Sequence, residues 1–415
     1  MKDPFYTNVL KMFVGTTGAY IFWALAMLVV GRLYTPEYFG GGQLFISAAS
    51  MLSVVATGRY EKALMLPQFR SRAMQILLFA VILAVSCTAG VFLVLACFPA
   101  FFVGLTGIAA ENILFLPFYT LELCVYVLFY AWMVRTKQYV AAARGLVLFP
   151  VSYLAFCVAL YSVEMHWHKL ILAFILARGV ELLYFGWYLY RDMKADVQKL
   201  SIQGAIDAGR EYADFPKYVL TGSFVEEVAV HVVPFLVSAF WGLEATGYYA
   251  MAMQVLAAPM GLIAKAVRDV FMQEGARLYA KYKECKAFYR KNLRLCLMYS
   301  VIVCYAVYIF VPILLPLVLG EKWNAAGQYV RWMIPITFGM LVSTPLLDMY
   351  SIARRQKKYL LIQTAFLGSS VLGIGVTGNL DCSIEVALLV WGILSMIVSY
   401  FSVYGGWKIA MGATR

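Results

Sequence analysis

Long apolar stretches dominate the 415-residue chain and limit it to one kind of structure. Twelve charge-poor runs of about 20 residues can be placed, and each is long enough to cross the ~30 Å hydrocarbon core of a bilayer as a helix. Only 13% of the residues are charged, against ~25% in soluble domains. The sequence therefore predicts an all-α polytopic membrane protein with about 12 transmembrane helices, and it excludes a soluble core.

Short polar segments separate these runs and set the limits of the predicted spans. The spans are Met12–Arg32, Gly42–Ala63, Ala73–Ala96, Ile113–Met133, Gly145–Val163, Lys169–Tyr190, Lys217–Ala239, Tyr248–Val270, Leu293–Leu317, Gln328–Met349, Tyr359–Val376 and Ile384–Tyr404.

The basic residues fall almost entirely on one side of the predicted spans. With the N-terminus inside, all but five of the 34 Lys and Arg residues lie in inward segments or at inner span ends. The exceptions are Arg32, Lys169, Lys322 and Arg331 on the outward side and Arg178 in the middle of a span. Since Lys and Arg are retained on the cytoplasmic side, both termini are predicted to be cytoplasmic. The net charge of +12 is thus an orientation signal and does not indicate nucleic-acid binding.

Three loop motifs occur twice in the same order, which indicates an internal duplication. The paired segments are Tyr130–Tyr139 with Tyr350–Tyr359, Glu37–Gly40 with Glu244–Gly247, and Gly104–Ala110 with Gly320–Ala326. A duplicated six-span unit keeps its orientation in the membrane. We therefore expect an N-terminal six-helix lobe at residues 1–190, a cytoplasmic connector at 191–216 and a C-terminal six-helix lobe at 217–415, with substrate bound between the lobes.

Charged residues near the middle of spans are a further feature, because each costs ~2.5–3.5 kcal/mol on insertion scales and needs a partner, a cavity or a function. Glu122 lies in the fourth span, and Arg178 and Glu181 lie one turn apart in the sixth. Two interpretations stay open. One is an internal ion pair of Arg178 with Glu181 or Glu122, and the other is a cavity or coupling-ion site.

Glu226 and Glu227 are adjacent in the seventh span, and His231 follows four residues after Glu227. Mutual repulsion and desolvation both favour binding of a proton or a cation by at least one carboxylate. The pair is therefore a candidate site for H⁺ or Na⁺ as coupling ion. The alternative is a protonated, hydrogen-bonded pair that only packs.

Basic residues end two spans that the repeat makes equivalent. Arg59 and Lys62 end the second span, and Lys265 and Arg268 end the eighth. The members of each pair are three residues apart and share a helix face. Arginine binds phosphate oxygens bidentately and stays charged, so these residues are candidates for binding an anionic substrate from the inner leaflet. The alternative is that they only extend to the lipid headgroups.

No catalytic or metal-binding pattern accompanies these charges. The eight cysteines lie almost entirely in spans and lack ligand spacing, so disulfides, a metal site and a bound cofactor are not expected. The outward loops are short, and those at 98–110 and 378–383 contain no Lys, Arg or His. The chain is therefore not expected to be an enzyme.

Several short motifs, in their order along nearly the whole chain, resemble one known family. They are Gly31–Gly40, Arg59–Pro67, Phe215–Lys217, Gly247–Tyr249 with Pro259, and Gly320-x-x-Trp323. This pattern is similar to that of the Wzx-type bacterial polysaccharide-biosynthesis flippases. These are O-antigen or repeat-unit transporters of the multidrug/oligosaccharidyl-lipid/polysaccharide superfamily.

The resemblance implies two lobes around a central cavity that opens alternately to each side of the bacterial cytoplasmic (inner) membrane. The implied substrate is an undecaprenyl-diphosphate-linked oligosaccharide, flipped from the inner to the outer leaflet. Other polysaccharide-assembly membrane proteins are implied as partners. Arg59 and Arg268 occupy the positions most similar to the family's diphosphate-contacting arginines, whereas Glu226 and Glu227 match no family motif.

Other functions stay open. A multidrug or cation antiporter of the same superfamily would share the lobes and the acidic site, but the basic ends of spans 2 and 8 disfavour it. A major-facilitator transporter is also doubled, but residues 67–72 lack the Gly-x-x-x-Asp-Arg signature. A membrane polysaccharide polymerase or lipid-linked glycosyltransferase would need large polar outward loops, which the sequence does not contain.

Overall fold

Helices account for every regular element that the structure, a computed structural model, describes. It describes residues 4–165 and 168–412, without the side chains of residues 4–14, 199, 218, 258–266 and 269. The helices are α1 Pro4–Leu33, α2 Pro36–Thr57, α3 Tyr60–Ala63, α4 Arg70–Cys97, α5 Pro99–Thr106, α6 Ala110–Ile113, α7 Leu116–Arg135, α8 Tyr139–Tyr161, α9 Lys169–Met193, α10 Ile202–Glu211, α11 Leu220–Tyr282, α12 Lys286–Leu319, α13 Asn324–Trp332, α14 Ile334–Ser343, α15 Asp348–Ile352, α16 Gln356–Ser370, α17 Thr377–Asn379 and α18 Ile384–Ala410. Short π-helical segments, Phe215–Val219 and Val371–Val376, precede α11 and α17.

The all-α polytopic architecture is confirmed. Within the described residues, ten helices are long and apolar enough to cross a membrane, or eleven if the segments Glu321–Trp332 and Ile334–Ile352, bent by 56°, form one span. The predicted seventh and eighth spans both fall in α11. This helix is interrupted at Gly242, whose φ of 85° favours a residue without a Cβ. The cytoplasmic location of the termini stays a prediction.

The chain forms two compact units, Met1–Glu227 and Val228–Arg415. The limit between them lies inside α11, and α10, in the predicted connector, belongs to the first unit. The lobe limits predicted from the sequence stay a prediction.

Small residues let helices of the first unit pack closely. α1 lies against α8, and α8 lies against α9. A Cβ at Gly15 of α1 would collide with Ala143 of α8, whose Cα would be 3.0 Å away, and Gly145 of α8 lies against the ring of Phe185 on α9. Because lipid tails are as apolar as the helices, close packing of this kind drives helix association in a membrane.

Replacing Gly15 with alanine is expected to lower the thermal unfolding temperature of the purified protein in detergent, because overpacking typically costs about 1–3 kcal/mol. Gly18→Ala is the matched control, since a Cβ there meets only Val147, at 3.6 Å. Equal unfolding temperatures for the two variants would contradict close packing of α1 on α8.

The second unit is built around α18, which packs against α14 and α16. Trp391 of α18 belongs to a buried cluster with Val233 of α11 and Val330 of α13. Its indole nitrogen donates a hydrogen bond to Ser370 Oγ at 3.0 Å, and a Cβ at Gly373 would lie 2.6 Å from its Cα. The π-helical segment after α16 therefore contacts the backbone of α18 directly.

The repeated segments Tyr130–Tyr139 and Tyr350–Tyr359, which share the pattern Tyr-x4-Arg-x-Lys-x-Tyr, lie at matching turns, but they do not match residue for residue. Lys137, between α7 and α8, and Arg354, between α15 and α16, both have positive φ, at 60° and 55°. The next residues, Gln138 and Arg355, each donate a backbone N–H to the carbonyl five residues earlier. The turns are thus equivalent at 217 residues apart. The predicted pairing of Arg135 with Arg355, at 220 residues, is wrong by three, close to one helical turn of 3.6 residues.

Candidate functional site

Arg59 occupies an unusual backbone position between α2 and α3. Gly58 and Arg59 both adopt the left-handed conformation, with φ of 55° and 61°. Such a conformation costs a non-glycine residue of order 1–3 kcal/mol and is concentrated at functional sites. Arg59 Nη1 donates to Glu61 Oε1 at 3.3 Å, while Arg59 Nε and Glu61 Oε2 are buried without a hydrogen-bond partner. The pair therefore retains a donor and an acceptor for a bound group.

Lys62 adds a second cation next to Arg59. Burial and the Arg59 guanidinium lower the pKa of the Lys62 ammonium, and the charges of Glu61 and Glu226 partly offset this effect. We call Arg59, Glu61, Lys62 and Glu226 the Arg59 cluster; all four belong to the first unit. The structure thus brings together residues assigned from the sequence to two different sites. Since Arg59 and Lys62 repel each other, an anion beside both would be stabilised by both.

Two further arginines make contacts that position the turn between α3 and α4, next to Arg59 and Lys62. Arg135, at the end of α7, donates to the carbonyls of Leu64 and Pro67 at 2.7 and 2.6 Å. Arg70, at the start of α4, pairs with Asp192 at 2.8 Å. From the sequence these arginines were only orientation signals, since their partners lie 68 to 122 positions away. They fix the segment between α3 and α4.

Helix α10 supports the same end of the first unit by packing against α4. The Tyr60 hydroxyl donates to the Gly209 carbonyl at 2.7 Å, and Arg72 pairs with Glu211. A Cβ at Gly209 would lie 2.5 Å from the Phe79 ring, so glycine is needed for this approach. Because Tyr60 adjoins Arg59, α10 helps to position the Arg59 cluster.

The arginine that ends the eighth predicted span is already paired in the second unit. Arg268 Nε donates to Asp348 Oδ2 at 2.8 Å and Nη2 donates to Oδ1 at 3.1 Å, a strong bidentate geometry. The Arg268 side chain is still 53% exposed, whereas Asp348 is 10% exposed. Any anion that binds Arg268 would therefore share the guanidinium with Asp348 or displace Asp348. Lys265, the other candidate here, lies outside the described side chains.

The central charges of the sixth span form a buried cluster in the first unit. Arg178 pairs with Glu181 one turn later on α9, which is the ion pair that one interpretation predicted. The guanidinium carbon lies 4.2 Å from the ring centroid of Tyr126 and 4.0 Å from that of Phe149. Rings from α7 and α8 thus enclose the cation. Glu122 Oε2 and Glu181 Oε1 are buried without a hydrogen-bond partner, so the cluster retains two acceptors for a proton or a small cation.

The adjacent carboxylates of α11 are not buried within the protein. Glu226 is exposed, and Glu227 and His231 are half-buried. A coupling role for this pair stays a prediction. Among the described residues, no group of three or more His, Cys, Asp or Glu side chains is arranged to hold a metal ion.

Several solved transporters share this fold. The chain is similar to the lipid II flippase MurJ in an inward closed conformation, with a TM-score of 0.73, 12% identity and coverage of 98% of this chain and 90% of that one. It is similar to an inward-facing multidrug resistance MATE family transporter of the MOP superfamily, with a TM-score of 0.67, 14% identity and 93% coverage of each chain. It is also similar to a MOP superfamily transporter from Pyrococcus furiosus, with a TM-score of 0.66, 13% identity and coverage of 98% of this chain and 96% of that one. At these identities the likeness shows the fold alone.

A family model matches the middle of the chain. Residues 193–328 match the family described as "Polysaccharide biosynthesis protein". Over these residues, the predicted resemblance to polysaccharide-biosynthesis proteins is confirmed. The part of the chain that matches this polysaccharide-biosynthesis family runs from the end of α9 into α13 and includes Glu226, Glu227 and Arg268, whereas Arg59 and Arg178 lie before it. No curated protein matches the sequence significantly.

Proposed function

We propose that the protein is a flippase for an undecaprenyl-diphosphate-linked oligosaccharide, the precursor of O-antigen or another surface polysaccharide. It would move this lipid from the inner to the outer leaflet of the bacterial cytoplasmic membrane by alternating access. The match of residues 193–328 to the polysaccharide-biosynthesis family carries the proposal. The likeness in fold to a protein named as a lipid II flippase supports it.

The chemistry of the Arg59 cluster suits the polar part of such a substrate. A diphosphate and its sugars cannot cross hydrocarbon unaided, because each charge is costly there, whereas a polyprenyl tail can remain in the lipid. Arg59 and Lys62 are two cations whose mutual repulsion an anion relieves. Arg59 also keeps an unpartnered Nε, and a guanidinium binds phosphate oxygens at more than one nitrogen.

Transport needs a source of direction, and the sequence contains no nucleotide-binding motif. A proton or sodium gradient would act through carboxylates that bind the ion in one state only. The acceptors on Glu122 and Glu181 and the Glu226–Glu227 pair are the residues we assign to this role. Consumption of the flipped lipid by downstream assembly proteins is the other source of direction.

Deletion of the gene tests the proposal. Surface polysaccharide is expected to be lost, and single lipid-linked repeat units should accumulate in the inner leaflet, where only reagents on the cytoplasmic side of the membrane reach them. A plasmid copy of the gene should reverse both effects. Elongated lipid-linked units that still reach the outer leaflet in the deletion strain would overturn the proposal.

A second candidate function is export of small organic cations. It is favoured by the fold likeness to multidrug resistance MATE transporters and by the buried acceptors of Glu122 and Glu181. The same deletion strain separates the two functions. Unchanged surface polysaccharide with increased sensitivity to cationic compounds would support the exporter.

A further inference from the structure

A groove on the second unit joins two cations to an apolar surface. It lies between α11 and α12 and has a volume of about 460 Å³. Val270 of α11 lines one side, and Phe288, Lys291, Arg294, Leu295 and Met298 of α12 line the other. The cations lie toward the start of α12, where the charged first turns precede the apolar span.

The apolar side of the groove continues along one face of α12. Positions 291, 294, 295, 298, 301, 302 and 305 follow the three- and four-residue spacing of a helix face. The apolar members are between 43% and 69% exposed; they are Leu295, Met298, Val301, Ile302 and Tyr305. From Lys291 to Tyr305 the face is about 21 Å long at 1.5 Å per residue. This length exceeds the depth of one leaflet's hydrocarbon, about 15 Å.

Within the part of the chain whose side chains are described, no carboxylate pairs with the two cations of the groove. Among the ion pairs of the described residues, none contains Lys291 or Arg294. The neighbouring cations are held elsewhere: the Lys286 ammonium and the Arg290 guanidinium lie 5.9 and 5.3 Å from the Trp407 ring centroid. Lys291 and Arg294, three residues apart, therefore present two positive charges on the face where the apolar stripe begins.

We propose that this groove binds an anionic phospholipid of the surrounding leaflet. Its phosphate lies at Lys291 and Arg294, and one acyl chain follows the stripe from Leu295 to Tyr305. Basic residues at the membrane surface favour anionic lipids, and the exposed stripe matches the length and polarity of an acyl chain. A free phosphate would use only the charged end of the groove and leave the stripe without a role. The site does not depend on which substrate the transporter moves.

Lipid occupancy of the purified full-length protein in detergent tests the proposal, with native mass spectrometry as the readout. The probes are phosphatidylglycerol and phosphatidylcholine with identical acyl chains. Each cation near an anionic surface favours binding about fivefold. The Lys291→Gln/Arg294→Gln variant is therefore expected to lose about 25-fold in affinity for phosphatidylglycerol and to leave phosphatidylcholine unchanged. Lys357→Gln/Lys358→Gln, which removes two exposed cations from the start of α16, should change neither affinity.

A second variant tests the apolar half of the site. Leu295→Asn/Met298→Asn keeps both cations and is expected to weaken binding of both lipids. The proposal is overturned if the wild-type protein binds the two lipids equally, or if inorganic phosphate displaces phosphatidylglycerol at millimolar concentration. It is also overturned if undecaprenyl phosphate outcompetes phosphatidylglycerol, because the groove would then belong to the substrate path.

Discussion

Replacing Arg59 with alanine is expected to abolish surface polysaccharide while the amount of protein in the membrane stays unchanged. The guanidinium is the group of the Arg59 cluster that keeps an unpartnered donor, so a substrate phosphate bound there as proposed would lose its bidentate partner. The measurement is surface polysaccharide per cell, with the membrane level of the protein determined by immunoblot in the same samples.

Two further substitutions separate charge from backbone conformation at this position. Asparagine tolerates the left-handed conformation that Arg59 adopts, so Arg59→Asn should be as defective as Arg59→Ala even though the turn is kept. Arg59→Lys keeps a charge but not the planar fork, and partial activity is expected. Normal polysaccharide in the alanine and asparagine variants would reduce Arg59 to a headgroup anchor.

Arg268→Ala is also expected to abolish surface polysaccharide. A second variant is needed to separate an effect on transport from an effect on stability. Asp348 is largely buried and accepts hydrogen bonds from two nitrogens of Arg268, Nε and Nη2, so loss of the arginine leaves an unpaired carboxylate. Arg268→Ala/Asp348→Asn removes this charge. If the double variant recovers protein level and not transport, Arg268 acts on the substrate; if it recovers both, Arg268 serves only the pair.

Replacing Arg178 with methionine is expected to lower the free energy of unfolding by about 3–5 kcal/mol, because it leaves Glu181 as an uncompensated buried charge. The loss should be visible as reduced membrane abundance and as a lower unfolding temperature in detergent. Enclosure of the cation by Tyr126 and Phe149 adds to the effect.

The double variant Arg178→Met/Glu181→Met separates stability from function. Replacing a whole buried ion pair by apolar residues is often neutral or stabilising, so stability should return close to that of the wild type. Loss of transport in this stable variant would assign the cluster to coupling. Wild-type transport would show that the two charges have only a structural role in the packing of α9 against α7 and α8. Equal stability of the wild type and Arg178→Met would contradict the buried pairing.

The helical architecture and the repeat could be predicted because they depend on local patterns. A 20-residue apolar run predicts a span wherever it occurs, and a doubled motif predicts a doubled turn. The register of that repeat could not be predicted. Aligning identical residue types pairs Arg135 with Arg355, whereas the backbone hydrogen bonds of the two turns are equivalent at Gln138 and Arg355. A difference of three residues is nearly one helical turn, so it leaves the apolar pattern of the neighbouring helices almost unchanged.

The candidate site was predictable in its residue types and not in its pairings. Arg59, Arg178 and Arg268 stood out as cations in or near spans. Two of their partners are local, since Glu61 and Glu181 lie two and three residues from their arginines, and only the pairing with Glu181 is predicted from the sequence. The partner of Arg268 lies 80 positions away, and the rings that enclose Arg178 come from two other helices. Such partners depend on tertiary packing, for which no single local pattern exists.

Helix α10 has a practical consequence for dividing the protein into fragments. It is held to the first unit by its own contacts, the Tyr60–Gly209 hydrogen bond and the Arg72–Glu211 ion pair, and not only by the chain that precedes it. A backbone cut at residues 194–201 would leave α10 on the C-terminal fragment while it stays bound to α3 and α4 of the N-terminal one. The two separately translated pieces would then recognise each other through α10, which makes this segment the natural place for a split-protein reporter.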